Sequence, residues 1–302
     1  MISAYLDRLS AELRVPARTR ARILAEARDH IEESIAAGRS EAEALAAFGE
    51  PGLLAARFHE ELASSSARRA SAHTVLLVAV FGIAMTLAAF GPANAFGLGI
   101  VVFIGAQLAA VAGAIAFVRW LRYRSTVAVP SDRLGDIYRA NALTAGAIGV
   151  VALAELVNGL GAGRPALAVG GGVLLAAASA VGLRVRSASA RARVVPAAAP
   201  DEDVLDDVVA VGNRYAPQLM SAVQRTPAWL DLRHKPWRFC LVFATMCGLA
   251  LAGWHALVEA GGPPDVSNVA RALLAGVVIA SIEAVAVIAC FAAFGRFLGI
   301  RR

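Results

Sequence analysis

Two helices meet at a sharp corner in residues 39–58, RSEAEALAAFGEPGLLAARF. Ser40 and Glu43 have the S-x-x-E spacing of a capping box, in which a hydroxyl and a carboxylate satisfy the free N–H groups at a helix start. Gly49 can adopt the left-handed conformation that ends a helix. Pro51 suits the first turn of the next helix, because proline has no N–H to leave unsatisfied. The stretch therefore predicts a helix, a tight corner and a second helix.

Apolar stripes on both sides of this corner predict a small helical domain over residues 1–65. Residues 2–13 and 17–37 each repeat an apolar position at helical spacing, and Pro16 separates the two helices. Four short helices can share one core, although a domain of about 60 residues is only marginally stable. The predicted core positions are Ile2, Tyr5, Leu6, Leu9, Leu13, Ile23, Leu24, Ala27, Ile31, Ile35, Ala44, Leu45, Phe48, Leu53, Leu54, Phe58 and Leu62.

The composition of the whole chain predicts an integral membrane protein. Of its 302 residues, 58% are hydrophobic and 17% are charged, and the mean hydropathy is +0.62. Soluble domains are about half apolar and about a quarter charged. Six apolar runs approach the ~20 residues needed to cross about 30 Å of hydrocarbon; they lie at 73–91, 96–118, 141–160, 165–183, 237–258 and 270–295. We predict an all-α fold, with the N-terminal helical domain, a linker at 66–72 and a six-helix transmembrane bundle.

The distribution of charge predicts the orientation of the six spans. Residues 1–71 carry 10 Arg and 11 Asp plus Glu, a net charge of −1, whereas the rest of the chain carries 19 basic and 12 acidic residues, a net charge of +7. Basic connections alternate with connections that hold at most one arginine: 119–140 and 184–236 are basic, as are both terminal flanks, whereas 91–95, 161–164 and 259–269 are not. The positive-inside rule then places both termini in the cytoplasm, at the inner membrane. The first 14 residues are amphipathic and do not resemble a signal peptide.

The bundle divides at a long connection. Spans one to four occupy 73–183, a cytoplasmic loop follows at 184–236, spans five and six occupy 237–295, and 296–302 form a basic tail. Within the loop, three acidic residues precede an apolar helical face that begins at Val204. Two interpretations fit this helix: it lies along the membrane surface, as amphipathic interfacial helices do, or it binds a partner.

Polar groups within spans are costly and are candidates for function. They are Glu155 and, three residues on and therefore on the same face, Asn158, with His255 in the fifth span and Glu283 in the sixth. Glu283 and His255 would form a proton-coupling pair if their spans packed side by side. In the alternative interpretation, Glu155 and His255 reach water near an interface and Glu283 is hydrogen-bonded inside the bundle.

Small residues at regular spacing predict close helix packing rather than ligand sites. Gly105, Ala109 and Gly113 follow the small-xxx-small pattern, and residues 170–172 are three consecutive glycines.

No catalytic motif is present in the sequence. It contains no phosphate-binding loop, dinucleotide fingerprint, zinc-protease motif or hydrolase elbow. The three cysteines, Cys240, Cys247 and Cys290, lie in apolar runs without metal-ligand spacing. We therefore predict no enzymatic activity and no catalytic, cofactor or metal site. The balanced charge of the N-terminal segment argues against direct binding of nucleic acid.

Three N-terminal segments carry a resemblance to a known family: YLDRLSAEL (5–13), ARILAEARDHIEESIAAGRS (21–40) and EAEALAAFGEPGLLAARF (41–58). They resemble the HAAS signalling domain, which is related to the DUF1700 and permease-prefix families of bacterial membrane proteins. The positions that carry the resemblance are Ile23, Glu26, His30, Ile31, Glu33, Gly38, Ser40, Ala44, Phe48, Gly49, Glu50 and Pro51. The resemblance implies a cytoplasmic protein–protein signalling module coupled to a membrane region, often associated with PadR-like transcriptional regulators.

Two hypotheses of function follow. In the first, the chain is a membrane signalling protein whose partner-binding residues are Glu26, His30, Glu33, Phe48, Glu50 and Pro51. His30 stands without a second ligand, so it is interpreted as a surface histidine rather than a metal or pH-sensing group. In the second, the chain is a transporter or permease subunit, in which Glu155, Asn158, His255 and Glu283 converge on a polar path. Membrane lipid is a partner in both, and the sequence leaves the oligomeric state open.

Overall fold

The computed structural model of the protein describes residues 1–88, 98–126, 128–192 and 203–225, with scattered helical residues between 238 and 295. The continuous described ranges hold helices and no strand, which confirms the all-α prediction. The helices are α1 (Ile2–Glu12), α2 (Ala17–Ala36), α3 (Glu41–Phe48), α4 (Pro51–Ala88), α5 (Gly99–Tyr123), α6 (Ser131–Gly161), α7 (Pro165–Ala192), α8 (Val204–Tyr215) and α9 (Pro217–Gln224).

The N-terminal domain consists of α1, α2, α3 and the first turns of α4 around one apolar core. The predicted stripes form this core: Tyr5, Leu9 and Ile31 are buried at its centre, and Phe58 and Leu62 of α4 pack against it. Leu53 is the exception, since its side chain is 65% exposed. The core positions on α4 are Leu54, Ala55, Phe58 and Leu62. Leu53 precedes the first of them, so its side chain lies about 100° from Leu54 on the side opposite Ala55.

The predicted corner is confirmed in detail. The Glu43 N–H donates to the Ser40 hydroxyl (3.3 Å) and the Ser40 N–H donates to the Glu43 carboxylate (2.9 Å), so both halves of the capping box are formed. Gly49 ends α3 with a φ of 96°. The Tyr5 hydroxyl donates to the Gly49 carbonyl (2.8 Å), and the Tyr5 ring meets Phe48 edge to face at 6.1 Å. The corner is therefore fastened to α1 as well as capped locally.

The last helix of this domain does not end at the predicted linker. α4 runs unbroken for 38 residues, from Pro51 through 66–72 to Ala88, a length of roughly 57 Å at 1.5 Å per residue. The prediction of a linker at 66–72 is therefore corrected. Small residues within this stretch and on both sides of it form a packed helix face instead, in which Ser64, Ala67 and Thr74 are fully buried.

Four described helices are long and apolar enough to cross a membrane: Pro51–Met85, Gly99–Tyr123, Ser131–Gly161 and Pro165–Ala192. They overlap the first four predicted spans, and the chain is therefore a multi-pass helical membrane protein. The predicted spans at 237–258 and 270–295 lie outside the described residues, apart from scattered helical positions.

All four of these helices extend beyond their predicted spans at the same end of the bundle. We call this extension the collar; it comprises residues 63–72, 119–126, 128–140 and 184–192. Its core contains Ala63, Ala67, Ala70, Tyr123, Val129, Leu134, Ile137, Tyr138, Val185 and Ala188. Residues 119–123, 131–140 and 184–192, which the sequence placed in basic connections, are therefore helical and pack on one another, and two of their arginines, Arg119 and Arg133, are buried.

Hydrogen bonds fix α4 in the collar. The Ser64 hydroxyl donates to the Val129 carbonyl (3.3 Å) and accepts from the Val129 N–H (2.7 Å). The Tyr138 hydroxyl donates to the Ala63 carbonyl (3.2 Å), and the Asn141 amide donates to the Ser71 hydroxyl (3.0 Å). These bonds lie along two to three turns of α4, so they define both its rotation and its register against α6.

Glycines permit the close helix contacts that the sequence predicted. A Cβ at Gly105 would lie 2.6 Å from Val151 Cγ2, and one at Gly113 would lie 2.9 Å from Val78 Cγ2. A Cβ at Gly171 would lie 2.6 Å from the backbone nitrogen of Leu156. The packing seams on α5 and α7 are confirmed, and the contact at Gly171 is between backbones.

We predict that Gly171→Ala loosens the contact between α6 and α7. The added methyl group would lie 2.6 Å from the Leu156 nitrogen and 2.9 Å from the Ala152 carbonyl, and backbone atoms cannot rotate away as a side chain can. Overpacking of this kind costs about 1–3 kcal/mol. The expected result is a lower unfolding temperature of the full chain in detergent. Gly170→Ala is the matched control, since a Cβ there meets nothing within 4 Å; equal melting of the two variants would contradict the prediction.

We also predict that the capping box makes the N-terminal domain sensitive to acid. Hydrogen bonds from the Ser40 N–H and then from its hydroxyl lower the pKa of Glu43. The stability gained is present above the ordinary glutamate pKa of about 4.3 and is lost as pH falls through the lower pKa of the folded state. Glu43→Gln should therefore flatten the acid dependence of amide-hydrogen exchange in α3. Glu32→Gln, which alters an exposed carboxylate on α2, should leave that dependence unchanged.

Candidate functional site

Three of the predicted partner-binding residues lie on the exposed face of α2. Glu26 faces Arg22 at 3.5 Å, and His30 Nδ1 lies 3.6 Å from Glu33, with both of these side chains more than 70% exposed. Solvated pairs of this kind contribute little to stability. The domain presents Glu26, His30 and Glu33 to solvent without using them in its core.

The other three predicted partner-binding residues, Phe48, Glu50 and Pro51, lie at the corner between α3 and α4. Phe48 is half-buried and packs against the core, and Pro51 is the half-buried first residue of α4. Glu50, between them, is exposed. Phe48 and Pro51 therefore shape the corner, and Glu50 is the member of this group that a partner can reach.

The structure adds Leu53 to the accessible corner. Glu50, Leu53 and Arg57 are all exposed and follow the spacing of one helix face; we call them the corner face. Sequence reasoning placed Leu53 in the core because it adjoins Leu54. The available signal was its position one residue off the i, i+4 series of Leu54, Phe58 and Leu62.

Two of the four intramembrane candidates can be placed. Glu155 is half-buried on α6, and Asn158 is 2% exposed on the same helix, with no hydrogen-bond partner for its side-chain oxygen among the described residues. His255 and Glu283 lie outside the described residues. The polar path of the transporter hypothesis therefore stays a prediction, since the described residues include Glu155 and Asn158 but not His255 and Glu283.

A buried charge cluster was not found from the sequence. Asp207 of α8 is fully buried, and Arg119 of α5 is 2% exposed. Arg119 Nε lies 3.2 Å from one oxygen of Asp207. The other oxygen pairs with Arg122 and accepts a hydrogen bond from the Tyr123 hydroxyl (3.3 Å). The last turn of α5 thus contributes three groups to one carboxylate.

The same cluster extends to α6. Arg119 Nη1 donates to the backbone carbonyl of Asp136 (2.8 Å), while the Asp136 carboxylate faces Arg139 at 3.3 Å. Arginine suits this position because its planar, always charged group can serve two acceptors at once. One guanidinium therefore connects α5, α6 and α8.

Local sequence explains why α8 forms and how it docks. The Asp203 carboxylate accepts from the Val204 N–H (2.5 Å), and the Asp206 carboxylate accepts from the Asp203 N–H (2.8 Å). Val204 is buried against a cluster from α5 and α6 that comprises Val111, Ala112, Ile115, Ala116 and Ala140. Asp207 lies on the same face, three residues after Val204. An aspartate within an apolar stripe was the signal that could have indicated a buried basic partner.

The face that begins at Val204 and includes Asp207 contacts the helical bundle, a contact that neither interpretation of the loop helix predicted. In the described part of the chain, no group of three or more His, Cys, Asp or Glu side chains is placed to hold a metal ion. The cluster is suited to holding helices in position rather than to chemistry.

The N-terminal domain contacts the rest of the protein chiefly through one helix. Among the described helices, α1, α2 and α3 contact one another, and α1 also contacts α4; none of the three contacts α5, α6, α7 or α8. Whatever binds the domain therefore acts on the bundle mainly through α4.

Comparison with known protein families supports the interpretation of this domain. A family model described as HAAS matches residues 4–57, which span α1, α2, α3 and the first turns of α4. The N-terminal part of the chain is thus a HAAS domain, as its sequence indicated. Comparisons with curated proteins and with solved structures found no match.

We predict that Asp207→Asn releases α8 from the bundle. The substitution removes the charge that Arg119 and Arg122 share, and breaking a buried pair in this way costs about 3–5 kcal/mol. Amide-hydrogen exchange of the full chain should accelerate in α8 and in the last turn of α5. Asn213→Ala, at an exposed position of α8, serves as the control. Unchanged protection of α8 in Asp207→Asn would show that apolar contacts alone hold it.

Proposed function

We propose that this chain is a signalling protein of the bacterial inner membrane, in which the HAAS domain binds a soluble protein partner on the cytoplasmic side. The observation that carries the proposal is the continuity of α4, which belongs to the HAAS domain at Pro51 and to the membrane bundle at Ala88. The resemblance to HAAS domains implies a PadR-like transcriptional regulator as the specific partner. The proposed role requires no enzymatic activity of the chain.

The charge of the collar supports the cytoplasmic placement. Basic residues flank membrane spans mainly on the cytoplasmic side. The collar carries Arg68, Arg69, Arg119, Arg122, Arg124, Arg133, Arg139, Arg184, Arg186 and Arg191, whereas the connection between α6 and α7 at the other end carries Arg164 alone. Because the HAAS domain adjoins the collar, both lie on the same side of the membrane in this proposal.

The corner face is the proposed contact for the partner. An exposed leucine beside an exposed acidic residue and an exposed basic residue offers one apolar anchor with charges at its edge, which is the arrangement common in protein interfaces. Because Leu53 and Arg57 lie on α4 and Glu50 directly precedes it, any tilt of α4 within the membrane moves the corner face directly. A partner bound there would sense the arrangement of the bundle without a separate relay.

The proposal predicts that Leu53→Asp weakens partner binding while the domain stays folded. The side chain is 65% exposed, so the change removes an anchor and leaves the core intact. We expect at least a tenfold loss of affinity, which corresponds to about 1.4 kcal/mol. The measurement is photo-crosslinking in cells from a benzophenone residue at position 56, an exposed position beside the corner face, followed by mass spectrometry.

Ala42→Asp is the matched control, since it introduces the same charge at an exposed position in the first turn of α3. The proposal is supported if one regulator is crosslinked in the wild type and in Ala42→Asp but not in Leu53→Asp. It fails if no soluble protein is crosslinked, or if both aspartates have the same effect.

A further inference from the structure

A basic pocket lies between the HAAS domain and the collar. It has a volume of about 350 Å³, and its walls come from the α1–α2 connection, from the first turn of α2, from α4 and from α7. The charged or titratable residues that line it are Arg14, His59, Arg69, His73, Arg184 and Arg191, and none of the lining residues in the described part of the chain is a carboxylate. Hydroxyl groups of Thr19 and Ser66 add further hydrogen-bond donors, whereas the Ser187 hydroxyl donates to the Arg184 carbonyl (2.9 Å).

The positive charge of this pocket is not neutralised within the described residues. The Arg69 guanidinium donates to the carbonyl and the hydroxyl of Ser65 at 3.4 Å. The Arg184 Nη1 lies 3.3 Å from His73 Nε2, and since arginine has no acceptor, the histidine accepts. The guanidinium groups of four residues form no ion pair with a carboxylate of the described residues; these residues are Arg14, Arg69, Arg184 and Arg191. Four guanidinium groups around one cavity repel one another, and a bound anion would relieve that repulsion.

The pocket extends from the predicted membrane boundary towards the HAAS domain. His73 is the first residue of the first predicted span, and Arg184 directly follows the fourth. His59 lies 14 residues before His73 on the same helix, which is roughly 21 Å along α4. One end of the pocket is therefore at the depth of lipid phosphates, and the other reaches the α1–α2 connection.

We propose that this pocket binds a phosphate-bearing anion, with Arg69 and Arg184 as its principal ligands. Guanidinium groups bind phosphate oxygens through paired, charge-assisted hydrogen bonds, and basic pockets between membrane helices bind anionic headgroups. The same chemistry fits the headgroup of an anionic phospholipid or a soluble phosphate compound. The inference does not depend on the identity of the protein partner.

The bound anion would fasten the HAAS domain to α7. The described structure joins α1, α2 and α3 to the bundle through α4 alone, whereas the pocket places Arg14 of the domain opposite Arg184 and Arg191 of α7. An anion between them gives the domain a second attachment and favours one angle of the domain on the collar. When the anion is removed, repulsion between the like charges favours separation of the HAAS domain from α7.

The experiment uses the full chain in nanodiscs of two compositions: phosphatidylcholine alone, and phosphatidylcholine with phosphatidylglycerol. Inorganic pyrophosphate is titrated into the first. The readout is amide-hydrogen exchange of the α1–α2 connection. Wild type is compared with Arg69→Gln/Arg184→Gln and with the control Arg18→Gln/Arg28→Gln, which removes the same charge from exposed positions of α2.

Protection by phosphatidylglycerol identifies a lipid as the source of the anion, and protection by pyrophosphate at micromolar to low millimolar concentration identifies a soluble compound. In either case, Arg69→Gln/Arg184→Gln should need at least tenfold more anion than Arg18→Gln/Arg28→Gln to reach the same protection of the α1–α2 connection. The inference is overturned if neither anion increases protection in the wild type, or if the two variants respond alike. Since the crosslinking at position 56 is measured separately, this result does not decide the proposed function.

Discussion

The packing of α4 in the collar is the constraint on which the other features depend. A helix of 38 residues that begins in one domain and ends in another transmits position only if its rotation is defined. The narrow face of Ser64, Ala67, Ser71 and Thr74 allows neighbouring helices to approach, and bonds to Val129 and Asn141 define the register. Larger side chains would have kept α6 at a distance, and a flexible linker would have let the HAAS domain rotate freely about the membrane helix.

The sequence was sufficient for features that depend on neighbouring residues. The stripes of α1 and α2, the capping box at Ser40 and the glycine seams follow from helical periodicity, from terminal hydrogen bonds and from side-chain size. It was insufficient where distant segments decide the outcome. The composition of 66–72 is that of a linker, and it becomes a packed helix because α5, α6 and α7 supply the opposing surface. Asp207 and Arg119 are 88 residues apart, and no local pattern pairs them.

The cluster at Asp207 is costly, which indicates a role in orientation rather than in stability alone. Two arginines and one aspartate lose hydration when α8 docks, and apolar residues of similar volume are often equally stable in such positions. The apolar contacts of Val204 could be satisfied in more than one register, since valines recur along α8. A single carboxylate that must meet Arg119, Arg122 and Tyr123 accepts one register only. The cluster thereby sets the position of α8 against the end of α5.

Two kinds of attachment thus meet at the collar. α8 is held by opposite charges that are already paired, whereas the HAAS domain faces α7 across like charges that lack a counter-ion in the described structure. Paired buried charges resist change, because separating them exposes each to an environment without compensation. Unpaired arginines at a membrane boundary respond to the ions and lipids around them. The fold therefore combines a fixed contact on one side of the bundle with an adjustable one on the other, and the adjustable contact carries the domain on which the corner face lies.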